Sequence, residues 1–354
     1  MNPGAIWWGQ IGNSLRFLTN VTNHLRDCQS AVLQVPQNLP WRKGFYEAID
    51  IRRTSFGSER RMVRLSCQEG MDPGAFVLDE LCSKRVRADY WPGQTYAEYL
   101  GAREDIVLND YYVWITGIHR KTELAKWTEF VSQYKNAAKH IEQSAVFLLE
   151  YDGVPVESVG VERIPYTVED YDCRVFCLEA AATLNSADLR GYQAELALRI
   201  ARGDPEICAA LLTKGSDLLE EPVKTAQSVL QSGYYSEGFR FPDMTQAEIE
   251  SAVWKASIVS FFPVLEQYRS DFIAQHKGEL IGYLPISNSN GDQITDPQDL
   301  EIGLIQYIVS NAKTNFSAME AETLNLCRKV RNLLAHNKTP SYSDIAKFVA
   351  LKTI

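Results

Sequence analysis

The apolar positions of this chain change their period partway along it. Over roughly the first 165 residues, short continuous apolar runs alternate with stretches of helical spacing, and beyond residue 172 only helical spacing remains. Ile11, Leu15, Leu18, Val21 and Leu25 trace one face of a helix over 5–27. Residues 31–35 (AVLQV) form an apolar run closed by Pro36 and Pro40, which reads as a buried strand. A helix is expected over 41–51, a strand over 61–65 (RMVRL), and a further helix opened by Asp72-Pro73-Gly74, with the aspartate as cap and the proline in the first turn. After a short helix around 96–102, residues 111–118 (YYVWITGI) carry the strongest strand signal, aromatic and β-branched throughout. Leu124, Trp127, Phe130, Val131, Tyr134 and Ala138 then form one helical face, and strands follow at 145–149 and 159–164.

Strands that are apolar throughout and separated by helices imply a mostly parallel sheet covered on both faces. The expected fold class is α/β, with a three-layer domain over 1–165 followed by an all-α domain over 172–354. In the latter, helices are predicted over 175–184, 192–201, 206–212, 223–230, 246–259, 262–275, 300–312, 318–334 and 344–351. Residues 285–298 (PISNSNGDQITDPQ) read as a loop.

The order of elements over 1–165 resembles the P-loop and Rossmann-like families, particularly divergent ATPases of the AAA or STAND kind. That resemblance implies a nucleotide site, but the residues for one do not follow. In Gly9-Gln10-Ile11-Gly12-Asn13-Ser14, Asn13 stands where a phosphate-binding lysine is needed, Trp7 stands at the first glycine position, and no strand precedes. Gly12 reads instead as a place where a helix passes close to a neighbour. The loop after the first strand, Pro36-Gln37-Asn38-Leu39-Pro40, has no glycine to let backbone N–H groups converge on an anion. Ile115-Thr116-Gly117 ends a strand where a hydrolysing ATPase carries acidic residues. The expectation is a nucleotide-binding-like fold without the residues for hydrolysis. Gly117-Ile118-His119-Arg120-Lys121 lies at the sheet edge where α/β ligands bind; it reads as an anion site or as a solvated turn.

Charge narrows the partners. With 36 Lys and Arg against 45 Asp and Glu, the net charge is −9, so nucleic acid would have to use a local patch. Two candidates are Arg52, Arg53, Arg60, Arg61 and Arg64, and Lys84-Arg85-Val86-Arg87; a solvated face or a protein interface is the plainer reading of both. No run approaches the roughly 18 apolar residues of a membrane span, and the first residues do not read as a signal peptide. Seven scattered cysteines without a CxxC pair indicate reduced, buried thiols in a cytoplasmic protein, with no metal site and no cofactor. Trp7-Trp8 and Asp89-Tyr90-Trp91 are core or interface anchors.

Near the end stands Arg331-Asn332-Leu333-Leu334-Ala335-His336, on a helix whose apolar positions include Leu326, Val330, Leu333 and Leu334. This arginine, asparagine, alanine and histidine spacing resembles the signature of HEPN domains, helical bundles that include metal-independent ribonucleases and inactive scaffolds. The resemblance implies RNA cleavage at a site shared by two protomers. His336 would be general acid or base, Arg331 would stabilise the phosphorane charge, Asn332 would orient a partner group, and the RNA 2′-hydroxyl would be the nucleophile. Within one straight helix, residues five apart point about 140° away from each other, so Arg331 and His336 do not converge alone. The other reading makes His336 a helix C-cap.

Two functions follow. The first is a non-hydrolysing adaptor or sensor subunit that binds other protein subunits; resemblance alone suggests an antiviral defence or toxin–antitoxin setting. The alternative is a dimeric, metal-independent endoribonuclease, a homodimer acting on RNA.

Overall fold

The computed structural model describes residues 2–56, 60–155, 160–182, 189–288, 290–311 and 316–350. The chain forms two compact units, Asn2–Asp172 and Cys173–Ile354, divided in the first turn of a helix at Asp170–Ala182. Val159 of an expected strand, and the expected helix residues 183–184, 312 and 351, lie outside the described residues.

The first unit runs α1 (Pro3–Gln10), α2 (Gly12–Arg26), β1 (Ala31–Gln34), α3 (Arg42–Arg53), β2 (Arg61–Ser66), α4 (Pro73–Leu81), α5 (Lys84–Ala88), α6 (Tyr96–Gly101), β3 (Tyr111–Ile118), α7 (Lys121–Ala137), β4 (Val146–Tyr151) and β5 (Glu162–Pro165). Its five strands form one sheet in the order β2-β3-β4-β1-β5, with every pairing parallel. The fold is α/β, as the apolar runs predict. Every residue of β1 and β4 is buried, because helices cover both faces of the sheet centre. On one face Val113, Ile115, Phe147 and Leu149 pack with Phe76, Leu100 and Trp127 of α4, α6 and α7. On the other, Trp114 meets Phe45 and Tyr46 of α3 at ring distances of 5.3 and 4.9 Å.

The expected helix over 5–27 is two helices, broken at a buried, extended Ile11 with φ −77° and ψ 124°. Gly9 and Gly12 flank the break, and glycine is the weakest helix former after proline. Gly12 is not a point of close approach, since a Cβ there would meet nothing within 4 Å. That role falls to Gly4, where a Cβ would lie 3.0 Å from Trp41.

The second unit is helix-rich: the remainder of α8 (Asp170–Ala182), then α9 (Arg190–Ala201), α10 (Pro205–Leu212), α11 (Ser216–Glu220), α12 (Pro222–Ser232), α13 (Gln246–Gln275), α14 (Lys277–Ile281), β6 (Ile286–Ser287), β7 (Gln293–Ile294), α15 (Ile302–Asn311), α16 (Ala318–Ala335) and α17 (Tyr342–Ala350). A short antiparallel hairpin of β6 and β7 lies inside the expected loop. The side chain of Asn288 closes its turn by accepting from the N–H groups of Asn290 and Asp292, each at 2.9 Å. The helices expected over 246–259 and 262–275 are one 30-residue helix that runs through Pro263. Proline removes one intrahelical hydrogen bond, and burial of Phe261 and Leu265 on either side holds the helix together across the gap.

Candidate functional site

At the carboxyl end of β4 the chain places a carboxylate inside the protein. Glu150 is 1% exposed. It forms an ion pair with Arg42 in the first turn of α3, accepts from the Tyr46 hydroxyl at 3.1 Å, and accepts from Trp114 Nε1 at 3.0 Å. Burial pushes the Glu150 carboxyl up, while Arg42, Tyr46 and Trp114 pull it back. Burial also disfavours the Arg42 charge, but Glu150 and Tyr46 hold the proton on, so the guanidinium ends above its ordinary value. Burial and the neighbouring Glu150 both raise the Tyr46 phenol, which stays a neutral donor. The cluster continues sideways through Arg64, whose guanidinium lies 4.9 Å from the centroids of both Tyr46 and Trp114 and pairs with Asp50 at 2.8 Å.

Sequence reading missed this cluster, though two signals were present. One is a glutamate continuing the apolar run of β4, which was expected to end at Leu149. The other is a pair of cations, Arg42 and Lys43, in the first turn of a helix, where the macrodipole favours anions. A cation so placed needs a nearby acid.

The loop after β1, residues 35–41, leaves the carboxyl end of the first strand of the sheet. Pro36 and Pro40 have no N–H to offer an anion. The loop is held from above by α1: Trp8 Nε1 donates to the carbonyls of Pro40 and Trp41 at 2.9 and 3.2 Å. Trp7 Nε1 donates to the Tyr166 hydroxyl at 2.8 Å, and Ser14 Oγ shares that hydroxyl at 2.9 Å. Trp7 and Trp8 are thus core, whereas Trp91 is 76% exposed. Acidic residues are present at the sheet edge, but one strand over from the end of β3. Asp152 follows Glu150 and binds His119 Nδ1 at 2.6 Å.

That contact, with an Arg120–Glu69 ion pair, gives His119 and Arg120 of the candidate anion turn carboxylate partners. Gly117 has φ +76°, a conformation that favours glycine as the chain leaves β3. Of the first arginine patch, Arg61 is exposed, Arg52 donates to Thr19 Oγ1 at 3.2 Å, and the other three turn to partners within the unit. Arg60 is buried over the Tyr112 ring, Arg64 stacks as described, and Arg53 donates to the Arg60 carbonyl at 2.9 Å. In α5, Arg87 faces Asp79 at 3.9 Å.

Of the C-terminal motif, the side chains of Arg331 and Asn332 meet, and His336 is tied to Asn332 through the backbone. Arg331 Nη1 lies 3.5 Å from Asn332 Oδ1, and its Nη2 pairs with Glu301 at 3.1 Å. His336 is the exposed C-cap of α16, its N–H turned back to the carbonyls of Asn332 and Leu333. Asn337 follows with φ +56°, which ends the helix. Ser341 then caps α17 through the Asp344 N–H at 3.2 Å, and Asp344 also binds Lys329 at 2.8 Å.

All seven cysteines are free thiols, and Cys82, Cys173, Cys177, Cys208 and Cys327 are buried. Among the described residues no cluster of three or more His, Cys, Asp or Glu is arranged to hold a metal ion. No helix among them is long and apolar enough to cross a membrane. No protein-family model matches the sequence, and no curated protein matches it.

Proposed function

We propose that the chain is a non-hydrolysing adaptor subunit whose α/β unit recognises other proteins. The observation that carries this reading is the closed circuit around Glu150. At the carboxyl edge of the sheet, where an α/β enzyme keeps an acid free to act, the acid is spent on Arg42, Tyr46 and Trp114. The loop beside it offers two prolines where a phosphate cradle needs N–H donors. Both features stiffen a surface instead of activating water. Trp91, an exposed indole in the loop after α5, has the chemistry of an interface anchor.

Purified chain is expected to leave ATP unturned, and to form a stoichiometric complex with a protein partner that Trp91→Ala weakens. ATP turnover that disappears in Glu150→Gln would overturn the reading.

A dimeric ribonuclease is the second reading, favoured by the contact between Arg331 and Asn332 beside an exposed His336. It requires Arg331 to leave Glu301 and a second protomer to complete the site. Cleavage of single-stranded or transfer RNA that is lost in a folded His336→Ala variant would establish it. Intact RNA at high protein concentration would exclude it.

A further inference from the structure

Helices α13 and α16 pack beside one another and are pinned near both ends. At one end Trp254 Nε1 donates to the Leu334 carbonyl at 2.8 Å; at the other His276 Nε2 binds Glu320 Oε1 at 2.8 Å. Between the pins the helices do not fill the space between them. A groove of about 790 Å³ remains, within the size range of drug-sized ligand sites between helices.

Its chemistry is ordered in stripes. Val264, Tyr268 and Phe272 stand at successive turns of α13 and form an apolar wall. Thr323 and Cys327 of α16 face them, and Phe348 of α17 closes one side. One step around α13, Gln267, Asp271 and Gln275 make a parallel polar lip. The lining carries two carboxylates, Asp271 and Glu320, and no lysine or arginine. The carboxylates differ in availability. Glu320 is engaged by Ser317 and His276 and is held below its ordinary range, first by the Ser317 N–H. Asp271 Oδ1 accepts from Gln267 at 2.8 Å, and its second oxygen has no protein partner among the described residues. The remaining titratable groups are neutral near pH 7, since burial pushes both the Tyr268 phenol and the Cys327 thiol up to about 12. The thiol is therefore no nucleophile, and occupancy is non-covalent.

We infer that this groove is a binding site for a small, largely apolar organic cation. Its aromatic or aliphatic body would lie against the half-buried Val264 and Tyr268, with its ammonium at Asp271. The half-buried Tyr268 ring and the carboxylate of Asp271 one turn on suit a cation and repel an anion of the same shape. Because the end pins hold the helices apart, little ordering cost remains at binding. The inference does not depend on the adaptor role, since every residue it uses lies in the second unit.

The test uses the full chain and a matched pair of probes, 1-naphthylmethylamine and 1-naphthoate, titrated by calorimetry at neutral pH. The amine is expected to bind one-to-one with Kd on the order of 100 µM. The carboxylate should bind at least about fivefold more weakly, and Asp271→Asn should erase that preference. Gln267→Trp, at an exposed position on the lip, should block both probes while unfolding as the parent does. Equal binding of amine and carboxylate, or amine binding unchanged in Gln267→Trp, would overturn the inference. So would a groove that takes a basic amphipathic peptide and ignores the amine, since that would make it a protein-docking surface.

Discussion

Two arginine–carboxylate pairs in this chain have the same chemistry and opposite surroundings. Arg42–Glu150 lies inside the α/β unit, with the carboxylate 1% exposed and two further donors on it. Arg331–Glu301 lies on the helical unit, with side chains 40% and 69% exposed. Removing charges from water is costly, so the buried pair persists only because every partner is in place. The exposed pair costs little to form and little to break. The better-connected pair is therefore a structural element, and the loosely held one is the pair free to change partners. A motif near an exposed ion pair is where a second protomer could act, whereas a motif built on Glu150 could not be freed without disturbing the unit.

The sharpest break of this comparison is Arg42→Ala. It strands Glu150 as an unpaired buried charge and should cost about 3–5 kcal/mol in denaturant unfolding. The pair Arg42→Met with Glu150→Leu should recover most of that loss, since an apolar replacement removes both desolvation penalties. If the double variant is as unstable as Arg42→Ala, the circuit is not what burial makes of it. Trp114→Phe, which deletes one donor to Glu150 and part of a packed ring, should cost about 2 kcal/mol.

Between the extremes stands Glu248, a surface carboxylate in the capping box of α13, paired with Arg202 at 2.6 Å. The Thr245 N–H, with help from Arg202, holds its carboxyl down at about 2 against an ordinary 4.5. A depressed carboxyl contributes its full stability above pH 4.5 and loses it as pH falls toward 2. Glu248→Ala should lower Tm at pH 7 by about 1–3 °C and flatten the acid limb of the stability profile below pH 4.5. The smallest effect belongs to the exposed pair: Arg331→Ala should change unfolding free energy by less than about 0.5 kcal/mol. A loss as large as that of Arg42→Ala would erase the contrast.

How much of this was legible depended on whether the signal was local. The strand at Tyr111–Ile118 is announced by consecutive aromatic and β-branched residues, and the Asp72 cap by its proline and glycine. The hairpin inside 285–298 was not, because two-residue strands have no period to detect and Asn288 acts through its side chain. Two helices were expected over 246–259 and 262–275, yet packing at Phe261 and Leu265 carries one helix through Pro263 despite the hydrogen bond that proline removes. The candidate site divides in the same way. Arg331, Asn332 and His336 stand close together in sequence, whereas Glu150 and Arg42 are 108 residues apart and become neighbours only when β1 lies against β4.

The amino-acid sequence by itself determined the class of fold and the passage from strands to helices, since both follow from spacing over a few residues. It also determined that the loop after β1 lacks glycine, a property of composition. Tertiary structure alone decided the strand order, the partners of Glu150, the pairing of Arg331 with Glu301 and the groove between α13 and α16. Each of these depends on which distant surfaces meet, and the desolvation that makes a charge costly or a pocket apolar arises only once they have met.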